Sequence, residues 1–401
     1  MAGAAGPNTA ESGLVFAYDL GNTITSYIGE PTTNIAYATN NNLNSGGNWW
    51  VNGGNATFND NDTSIPKPSI PNVDTSNLRI FSSLVTAGGS NQQLGSSIIT
   101  ISPSTTYSFS IWYYFTGNSM VIYPYIRTAV NNDAIGVFSY NGNTDGTTWP
   151  KNQWILLKAT GTTQANETGI YMSSYTGTAV GDKVYYFGYQ VEQKGHCTPL
   201  VLGTRSATQG LLNLTGNGTI NITNASFDSN AQLVFDGTND LIFTADSTYL
   251  NPGSSAFSIE LLFNCSNASV GQGILYNKED LYEAAIQNGV FQYAWQPHWS
   301  WDGDSTFPVS SNTWYHAVVT YDGSYQRMYK NGVEVYNRAQ SGNIGTNSVV
   351  LSMGARGVDG SGGSGYNFFP GQIPVVKAYK AALTAAEVLQ NYQALRYRFG
   401  I

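Results

Sequence analysis

The sequence predicts an all-β protein built from two antiparallel β-sandwich domains, with one short helix near the C-terminus. Three observations support this prediction. Almost every segment is a short run of alternating apolar and polar residues that ends at Gly, Asn, Asp or Pro. The chain has 401 residues, which is too many for one domain of usual size and enough for two. Only one segment carries the signals of a helix.

Strand-like runs recur at intervals of about ten residues, a spacing typical of β-sandwiches. Turn residues separate them. The clearest runs are Leu14–Tyr18, Thr106–Tyr114, Trp154–Leu157, Val184–Phe187, Leu233–Phe235, Phe257–Phe263, Trp314–Tyr321, Gln326–Tyr329 and Val349–Met353. The dipeptide Asn331-Gly332 follows one of these runs and predicts a tight hairpin, because both residues tolerate positive φ.

The helix is predicted from the residues at its two ends. Thr384 is followed three positions later by Glu387, which is the pattern of a capping box at a helix N-terminus. Gly400 stands where a helix C-cap is expected. These signals predict a helix over about residues 385–396, with sheet and loop elsewhere.

The composition excludes several classes of protein. Charged residues make up 10% of the chain, against roughly 25% in an average globular protein, and Asn, Ser, Thr and Gly take their place. Aromatic residues at 13% supply enough core material to exclude disorder. The net charge is −8 and no basic stripe is present, so we expect no nucleic-acid partner. A neutral, polar surface suits an extracellular or particle-bound β-protein.

Cysteine and histidine are scarce. Cys197 and Cys265 are the only cysteines, which excludes a disulfide framework and a four-cysteine zinc site and predicts free, buried thiols. The three histidines, His196, His298 and His316, are too scattered along the chain to propose a metal triad. No metal ligand is therefore assigned.

The first residues and the hydropathy pattern bear on targeting. Residues 1–8 carry neither the cationic nor the apolar region of a secretory signal, and no stretch approaches the roughly 20 apolar residues of a membrane span. We therefore expect a protein without a membrane partner. Residues 1–11 have no core-forming pattern, and we interpret them as an anchor to a neighbouring subunit.

A series of motifs follows in a fixed order over the last 169 residues. They are Leu233–Ile242, Phe257–Phe263, Trp314–Gly323, Tyr329–Val333, Gly371–Tyr379, Ala381–Val388 and Tyr397–Ile401. In this order they resemble the concanavalin A-like, laminin-G-type jelly roll. The same ending, together with Glu30–Asn34, resembles virion proteins of tailed bacteriophages. The resemblance implies a lectin-like fold and a place in a virus particle.

The resemblance also implies that one domain is inserted into another. Gly13–Asp19 looks like the first strand of the family's fold, and Gly210–Gly218 looks like the segment that should follow that strand. We therefore predict a laminin-G-like domain made of residues 12–30 and 206–401. Residues 31–205 would be an inserted domain whose two ends lie close together.

The predicted insert has a resemblance of its own. Its motifs Tyr107–Trp112, Asn152–Leu157 and Val184–Glu192 are similar to those of the carbohydrate-binding jelly rolls attached to polysaccharide hydrolases. This resemblance implies a second β-sandwich that binds carbohydrate.

No catalytic residue is assigned. Glycosidases need two carboxyl groups about 5–5.5 Å or about 6.5–9.5 Å apart. Glu279 and Glu283 are the nearest candidates in sequence, but an extended segment would place them about 13 Å apart. Asp302 and Asp304 could still meet a partner from elsewhere, and three histidines leave a Ser/His/Asp triad open, although no Gly-x-Ser-x-Gly elbow is present. The Gly-rich run 357–365 lacks the lysine of a phosphate-binding loop and is interpreted as a surface loop.

The most informative local feature is an aromatic cluster that ends at Asp302. Aromatic rings stack on sugar rings, while Asp, Gln and His bond their hydroxyl groups. We predict that His298, Trp299, Trp301 and Asp302 form a glycan-binding loop. The alternative is that the aromatic residues of the cluster form an ordinary core or sheet face, which we expect for the alternating positions before the loop.

Two further features are interpreted as structural. The pairs Trp49-Trp50 and Tyr123/Tyr125 are weaker candidates for the same sugar contact and are interpreted mainly as core or interface residues. The segment Asp236–Asp240 reads as a tight turn in which Asp side chains cap backbone amides. Laminin-G-like folds sometimes hold calcium through loop oxygens, but six to eight oxygens must converge from several loops, and the sequence assigns none of them. No cofactor is predicted.

These expectations converge on one hypothesis of function. The protein is expected to be a non-enzymatic structural protein of a bacteriophage virion, either a capsid decoration or a fibre-like appendage, that presents lectin-like jelly rolls to host surface polysaccharide. Its partners would be other virion proteins, and it would be a homo-oligomer or bound to a lattice. The alternative hypothesis is a polysaccharide-acting enzyme or its accessory carbohydrate-binding subunit.

Overall fold

The structure is a computed structural model, and its contacts divide the chain into two compact units. Unit 1 comprises Met1–Glu30 and Ala207–Ile401, and unit 2 comprises Pro31–Ser206. The structure describes residues 9–38, 49–52, 54–88, 93–117, 124–175, 179–228, 232–303, 305–357 and 365–401. Of the predicted anchor at residues 1–11, residues 1–8 lie outside this description, as does Tyr123.

The strands are numbered in chain order, and β1 (Leu14–Asp19) belongs to unit 1. Unit 2 contains β2 (Thr32–Thr33), β3 (Trp49–Asn52), β4 (Ala56–Asn59), β5 (Phe81–Val85), β6 (Gln93–Ser96), β7 (Ile99–Thr100), β8 (Thr106–Thr116), β9 (Tyr125–Thr128), β10 (Ala134–Val137), β11 (Ile155–Thr162), β12 (Gly169–Tyr175), β13 (Lys183–Glu192) and β14 (Thr204–Arg205).

The second segment of unit 1 continues the series. It contains β15 (Ile220–Thr223), β16 (Ser226–Phe227), β17 (Leu233–Asp236), β18 (Leu241–Thr244), β19 (Phe257–Cys265), β20 (Gly273–Lys278), β21 (Tyr282–Gln287), β22 (Val290–Trp295), β23 (His298–Asp302), β24 (Trp314–Tyr321), β25 (Tyr325–Lys330), β26 (Val333–Ala339), β27 (Leu351–Met353), β28 (Arg356–Gly357), β29 (Gly365–Tyr366) and β30 (Pro370–Tyr379). Among the described residues the helices are α1 (Ile35–Ala38) and α2 (Ala385–Phe399), with 3₁₀ turns at Gly146–Thr148 and Thr248–Leu250.

Unit 1 is a sandwich of two antiparallel sheets. One sheet has the order β16-β17-β30-β19-β24-β25-β26, with β1 also paired to β30, and the other has the order β15-β18-β27-β20-β21-β22-β23. Side chains from both sheets meet in one aromatic-rich core that includes Phe263, Phe291 and Trp295. In the β1–β30 pair, Tyr18 lies opposite Val376. A strand from the start of the chain therefore completes a sheet that is otherwise built from its second segment.

Unit 2 is a second antiparallel sandwich. The side chains of its strands alternate between two faces, and this alternation determines which residues form the site described below. Its six-stranded sheet has the order β10-β9-β12-β6-β3, with β7 also paired to β12, and its five-stranded sheet has the order β11-β8-β13-β5-β4. Trp49, Leu94 and Met172 of the six-stranded sheet are buried in the core between the sheets. Because successive side chains of a strand point to opposite faces, the residues next to them face outward. The predicted all-β class with two β-sandwiches is confirmed.

The predicted C-terminal helix is confirmed as well. α2 begins after Thr384, whose Oγ1 accepts from the backbone N–H of Glu387 at 3.3 Å, while the Glu387 carboxylate accepts from the Thr384 N–H at 2.8 Å. Its C-cap is Gly400 in the left-handed conformation, with φ 69°. The helix ends at Phe399, three residues beyond the predicted end, because this glycine stops it.

The predicted hairpin is confirmed by its backbone angles. Lys330 pairs with Val333 at the ends of β25 and β26. Asn331 and Gly332 between them both have positive φ, 49° and 80°. This conformation matches the right-handed twist of the flanking strands, which explains why Asn-Gly favours it.

The expectation of a single helix is wrong, because the structure contains a second, short helix, α1. α1 has only four residues, Ile35–Ala38. Asn34 precedes it, and its side-chain oxygen accepts from the Ala36 N–H at 3.1 Å, as a capping side chain does. Four residues are too few to show helical periodicity in a sequence, so the pattern could not reveal this turn.

Candidate functional site

The predicted glycan-binding residues lie on β23, at the edge of a sheet, and the expectation of a loop is wrong. β22 and β23 form a hairpin in which Trp295 lies opposite His298 and Tyr293 lies opposite Asp302. The register shifts between these pairs, so residues 299–301 form a bulge. The chain resumes as a strand after a two-residue turn because pairing with β22 provides partners for its backbone.

The four predicted residues do not meet on one face of this strand. The residues of β22 opposite His298 and Asp302 are buried in the core, so His298 and Asp302 point to the inner side. Alternation places Trp299 and Trp301 on the outer side. Trp299 is 38% exposed, and Trp301 is half-buried. The structure thus separates the two tryptophans from the carboxylate, which is buried.

Asp302 already has partners within the protein. It is 5% exposed, and its Oδ1 accepts from Arg338 Nη1 at 2.9 Å and from the Tyr336 hydroxyl at 3.3 Å. Both partners lie on β26, at the edge of the other sheet of unit 1. Asp302 therefore joins the two sheets at this edge. A glycan-binding role for Trp299 and Trp301 stays a prediction.

Glu279 and Glu283, the two candidate carboxylates of a glycosidase, lie much closer together than an extended segment would place them. Asn277 Nδ2 donates to Glu279 Oε2 at 2.9 Å and to Glu283 Oε2 at 3.0 Å, so these two oxygens are no more than about 6 Å apart. The separation of about 13 Å is wrong because β20 and β21 form a hairpin. Asp280, with φ 63°, lies in the turn that reverses the chain between the two glutamates.

Protein side chains hold this pair of carboxylates. Arg356 Nε and Nη2 donate to the two oxygens of Glu283 at 2.9 and 2.6 Å, a bidentate arrangement, and Arg356 Nε lies 3.6 Å from Glu279. Burial raises the pKa of Glu283, and the charge of Arg356 works against that rise. Because Glu283 is almost fully buried with both oxygens bonded, the cluster serves the packing of unit 1.

A second buried cluster lies between the β16–β26 sheet and α2. The carboxylate of Glu260 bonds His316 Nε2 at 3.0 Å, the Tyr379 hydroxyl at 2.8 Å and Asn391 Nδ2 at 2.6 Å, and Lys377 Nζ lies 3.5 Å away. Burial raises the pKa of Glu260, but Lys377 and His316 outweigh it and bring that pKa down to about 2. All five side chains are buried, so this histidine faces a carboxylate inside the protein and is closed to a substrate.

The outer face of unit 2's six-stranded sheet is open and carries an aromatic groove. Trp50 is 37% exposed, and its neighbour Trp49 is 7% exposed in the core. Trp50 lines an open groove of about 470 Å³ together with Ser97, Ile98 and Tyr171. The Trp50 and Tyr171 ring centroids are 6.3 Å apart. We call this feature the aromatic groove.

Two features fix the Trp50 ring in this position. Its Nε1 donates to the backbone oxygen of Ser96 at 3.0 Å. The ring lies directly over Gly95, where a Cβ atom would come within 2.1 Å of it. Gly95 therefore provides the space into which the indole fits, and the strand of this glycine lies directly beside that of the tryptophan. Tyr171 is fixed in turn, since its hydroxyl donates to Asn132 Oδ1.

Sequence reasoning missed the aromatic groove although a signal was present. Trp49 and Trp50 are adjacent in a strand, so only one of the two can face the core. Trp49 lies in the core, as interpreted, whereas Trp50 does not, and an interface role for Trp50 stays a prediction. Tyr125 is half-buried on the same sheet.

The remaining sequence expectations can be placed on the structure. Both cysteines are free; Cys265 is buried as predicted, and Cys197 is half-buried, with a thiol pKa that burial raises to about 11. The Asp236 carboxylate accepts from the N–H groups of Thr238 and Asn239 at 2.7 and 3.2 Å, as predicted for a capped turn.

Within the described ranges, no group of three His, Cys, Asp or Glu side chains is arranged to hold a metal ion. In the same ranges, no helix has the length and apolar character to span a membrane.

One family model matches part of unit 1. Residues 236–389 match the family model described as Concanavalin A-like lectin/glucanases superfamily, a laminin-G-type model. A search of curated proteins finds no match.

Several solved structures resemble the chain at low sequence identity. The botulinum neurotoxin serotype D binding domain is 14% identical, with a TM-score of 0.35, over 46% of this chain and 49% of that one. The binding domain of Paraclostridial Mosquitocidal Protein 1 is 16% identical, with a TM-score of 0.37, over 45% of this chain and 49% of that one. The matches thus span about half the length of these structures.

A shorter domain is matched almost completely. It is domain 4 of an extracellular arabinanase from Geobacillus stearothermophilus, in complex with arabinotriose, which is 15% identical with a TM-score of 0.34 over 47% of this chain and 93% of that domain. The family match and the two antiparallel sheets of unit 1 together support a concanavalin A-like, laminin-G-type jelly-roll fold for residues 236–389.

Proposed function

We propose that the protein binds polysaccharide without cleaving it, and that the aromatic groove of unit 2 is its main binding site. The observation that carries this proposal is the pair of aromatic rings, Trp50 and Tyr171, on an open sheet face with neutral polar groups beside them. The axial C–H groups of a sugar ring meet the negative face of an indole favourably. A shallow groove with a few polar groups at its rim fits one chain of a glycan.

The groove is prepared for binding before a ligand arrives. Trp50 is held by its hydrogen bond to the Ser96 backbone and by the space over Gly95, so little rotamer freedom is lost when a sugar stacks on it. Tyr171 is likewise held by Asn132. A fixed aromatic platform supports binding at low entropic cost.

Titration calorimetry of the full chain with a panel of polysaccharides tests the proposal. Trp50→Ala should weaken binding by about 2 kcal/mol, or about 30-fold in Kd, since a central aromatic contact of an interface contributes that much. Tyr397→Ala is a matched control, because Tyr397 is an exposed aromatic residue of α2 in unit 1. Unchanged affinity in Trp50→Ala, or equal losses in the two variants, would contradict the proposal.

The alternative is an enzyme that acts on polysaccharide, and one distance in the structure is a reason to test it. The separation of no more than about 6 Å between Glu279 and Glu283 is compatible with a retaining glycosidase. The bidentate bond from Arg356 argues against it, because it leaves neither oxygen of Glu283 free. Release of reducing sugar from host envelope material that Glu283→Gln abolishes would establish the enzyme and overturn the non-enzymatic proposal.

Unit 1 is proposed as a second, lectin-like domain into which unit 2 is inserted. The match of residues 236–389 to the lectin/glucanase family supports this proposal. Trp299, which is 38% exposed, and the half-buried Trp301 are the residues of unit 1 that we propose for glycan contact. Unit 2 would then be a carbohydrate-binding module carried within a lectin-like fold.

We also propose that the protein is a structural component of a bacteriophage virion that adheres to host glycans. The support is the resemblance of the segments 30–34 and 381–401 to virion proteins, and the low content of charged residues at 10%. In this proposal it is attached to other virion proteins, as an oligomer or on a lattice, at the capsid or on a fibre. Immunogold labelling of purified particles with an antibody to the full chain should decorate them at regular positions, and unlabelled particles would contradict the assignment.

A further inference from the structure

We propose that the aromatic groove selects acidic polysaccharides, and that Arg127 binds the carboxylate of a uronic-acid-type sugar beside the Trp50–Tyr171 platform. This inference rests on the proposed function, since it names the ligand class of the same sheet face. It rests on the charge, the position and the hydrogen bonds of one side chain.

Arg127 is the only charged residue in the strands of the six-stranded sheet. The sequences of β3, β6, β7, β9, β10 and β12 contain aromatic, aliphatic, hydroxyl and amide residues besides this arginine. Unit 2 as a whole has eight acidic and eight basic residues, so the net charge of −8 belongs to unit 1. The net charge of unit 2 therefore does not repel an anionic ligand. The six-stranded sheet itself offers such a ligand one cation.

The register places this cation next to the aromatic groove. Arg127 on β9 lies directly opposite Tyr171 on β12, so both side chains are on the same face of the sheet. Tyr171 is in turn the neighbour of Trp50. Neighbouring strands are about 4.8 Å apart, so the row from β3 through β6 and β12 to β9 spans about 14 Å. This length accommodates more than one sugar of a chain laid across the strands.

The guanidinium group is held in place and keeps donors available. Its Nη1 donates to the backbone oxygen of Asn132 at 2.8 Å, and its carbon lies 5.3 Å from the centroid of the Tyr125 ring. Asn132 also accepts from Tyr171 through its side chain, so one residue positions both members of the site. The remaining N–H groups form a planar fork that matches a carboxylate.

No carboxylate of the described chain pairs with Arg127. The two acidic residues of the neighbouring loops have other partners. Glu167 is buried and accepts from the Val130 N–H at 3.3 Å and from Asn131 Nδ2 at 3.4 Å. Asp133 accepts from Gln164 Nε2 at 3.4 Å. A charged group at an aromatic groove without an internal counter-ion favours a ligand that supplies one.

The test compares matched ligands on the full chain. Polygalacturonate, alginate and hyaluronan would each be titrated beside their carboxyl-reduced, neutral forms at low ionic strength. We expect at least one acidic polymer to bind about tenfold more tightly than its reduced form, as a charge-assisted hydrogen bond to the fork of an arginine provides. Arg127→Gln should remove this preference, because the affinity for the acidic form falls much more than the affinity for the reduced form, and Arg127→Lys should retain part of it.

Controls separate this inference from the proposed function. Arg79→Gln removes a charge of unit 2 that pairs with Asp60, and it should keep the preference for acidic polymers. If acidic and reduced forms bind alike while Trp50→Ala weakens both, the inference is wrong and the proposed function stands. If Arg79→Gln and Arg127→Gln reduce the preference equally, the attraction is general and the inference is also wrong. If no polymer binds, both the inference and the proposed function are wrong. Thermal unfolding of each variant shows whether it is folded.

Discussion

The buried clusters of unit 1 and the open sheet face of unit 2 place charged side chains in opposite surroundings. In unit 1, carboxylates such as Glu260, Glu283 and Asp302 are buried among arginine, lysine, histidine and asparagine partners. In unit 2, Trp50 and Arg127 remain on an open sheet face, and Arg127 has no carboxylate partner among the described residues. The difference shows that residue type alone does not mark a binding site. What decides is whether another element, such as α2 over Glu260, covers the face.

The largest expected effect concerns the two-segment construction of unit 1. A fragment of residues 207–401 lacks β1, which pairs with β30 and contributes Phe16 and Tyr18 to the core. Its loss leaves backbone groups of β30 without partners and uncovers apolar side chains. We expect no cooperative thermal unfolding transition from this fragment. Unit 2 is continuous in sequence, so a fragment of residues 31–206 should unfold cooperatively.

A matched chain completes this experiment. Residues 1–30 joined to 207–401 by a short Gly-Ser bridge should restore the transition, because β1 is then present. A cooperative transition in the 207–401 fragment, equal to that of unit 1 in the full chain, would show that β1 is dispensable and would overturn this view of unit 1.

The next effect concerns the buried charges of unit 1. Glu260→Ala should destabilise unit 1 by about 3–5 kcal/mol, because it leaves Lys377 buried without its counter-charge and removes the acceptor of Tyr379 and Asn391. Urea unfolding measures this loss. The affinity for polysaccharide should not change, since the aromatic groove belongs to unit 2. A stability within about 0.5 kcal/mol of the parent chain would contradict the structural role of the cluster.

Acid pH probes the same cluster without a mutation. The pKa of Glu260 is about 2 in the folded protein and near 4.5 when unfolded. The unfolded chain therefore takes up this proton first, and the stability that Glu260 contributes is present above about pH 4.5 and is lost as the pH falls towards 2. Glu260→Gln should flatten the pH dependence of unit 1 stability in this window. An identical slope in both proteins would show that other carboxylates cause it.

The smallest effect concerns the edge strand of unit 1. Trp299→Ala should weaken polysaccharide binding by about threefold or less, because the carboxylate of Asp302 on the same strand is committed to Arg338 and faces the other side of β23. The same change should leave the unfolding midpoint nearly unaltered, since Trp299 is 38% exposed. A loss as large as that of Trp50→Ala would reverse the ranking of the two units.

Sequence reasoning succeeded where the residues of a cap or turn are characteristic of it, and failed at two hairpins whose turns lack such residues. The capping box at Thr384 and the Asn331-Gly332 turn act within a few residues, so both were predictable. The strand at Trp299 depends on pairing with β22. Likewise, the approach of Glu279 to Glu283 depends on a turn whose positive φ is at an aspartate rather than at an Asn-Gly pair.

The candidate site, too, could be predicted from the sequence only in part. Two adjacent tryptophans in a strand already indicate that one of them faces outward, so Trp50 could have been predicted as exposed. The contact of its ring with Gly95 and Tyr171 could not, because these residues lie 45 and 121 positions further along the chain. Only the order of the strands brings them together.

A single experiment can show whether the open sheet face of unit 2 is the glycan-binding site. It is an experimental structure of the full chain with a bound oligosaccharide taken from the tightest-binding polymer. We expect sugar density stacked on Trp50 and Tyr171, with the carboxylate of an acidic sugar at Arg127. Sugar bound at Trp299 and Trp301, or at the Glu279–Glu283 pair, with the face of Trp50 empty, would contradict it.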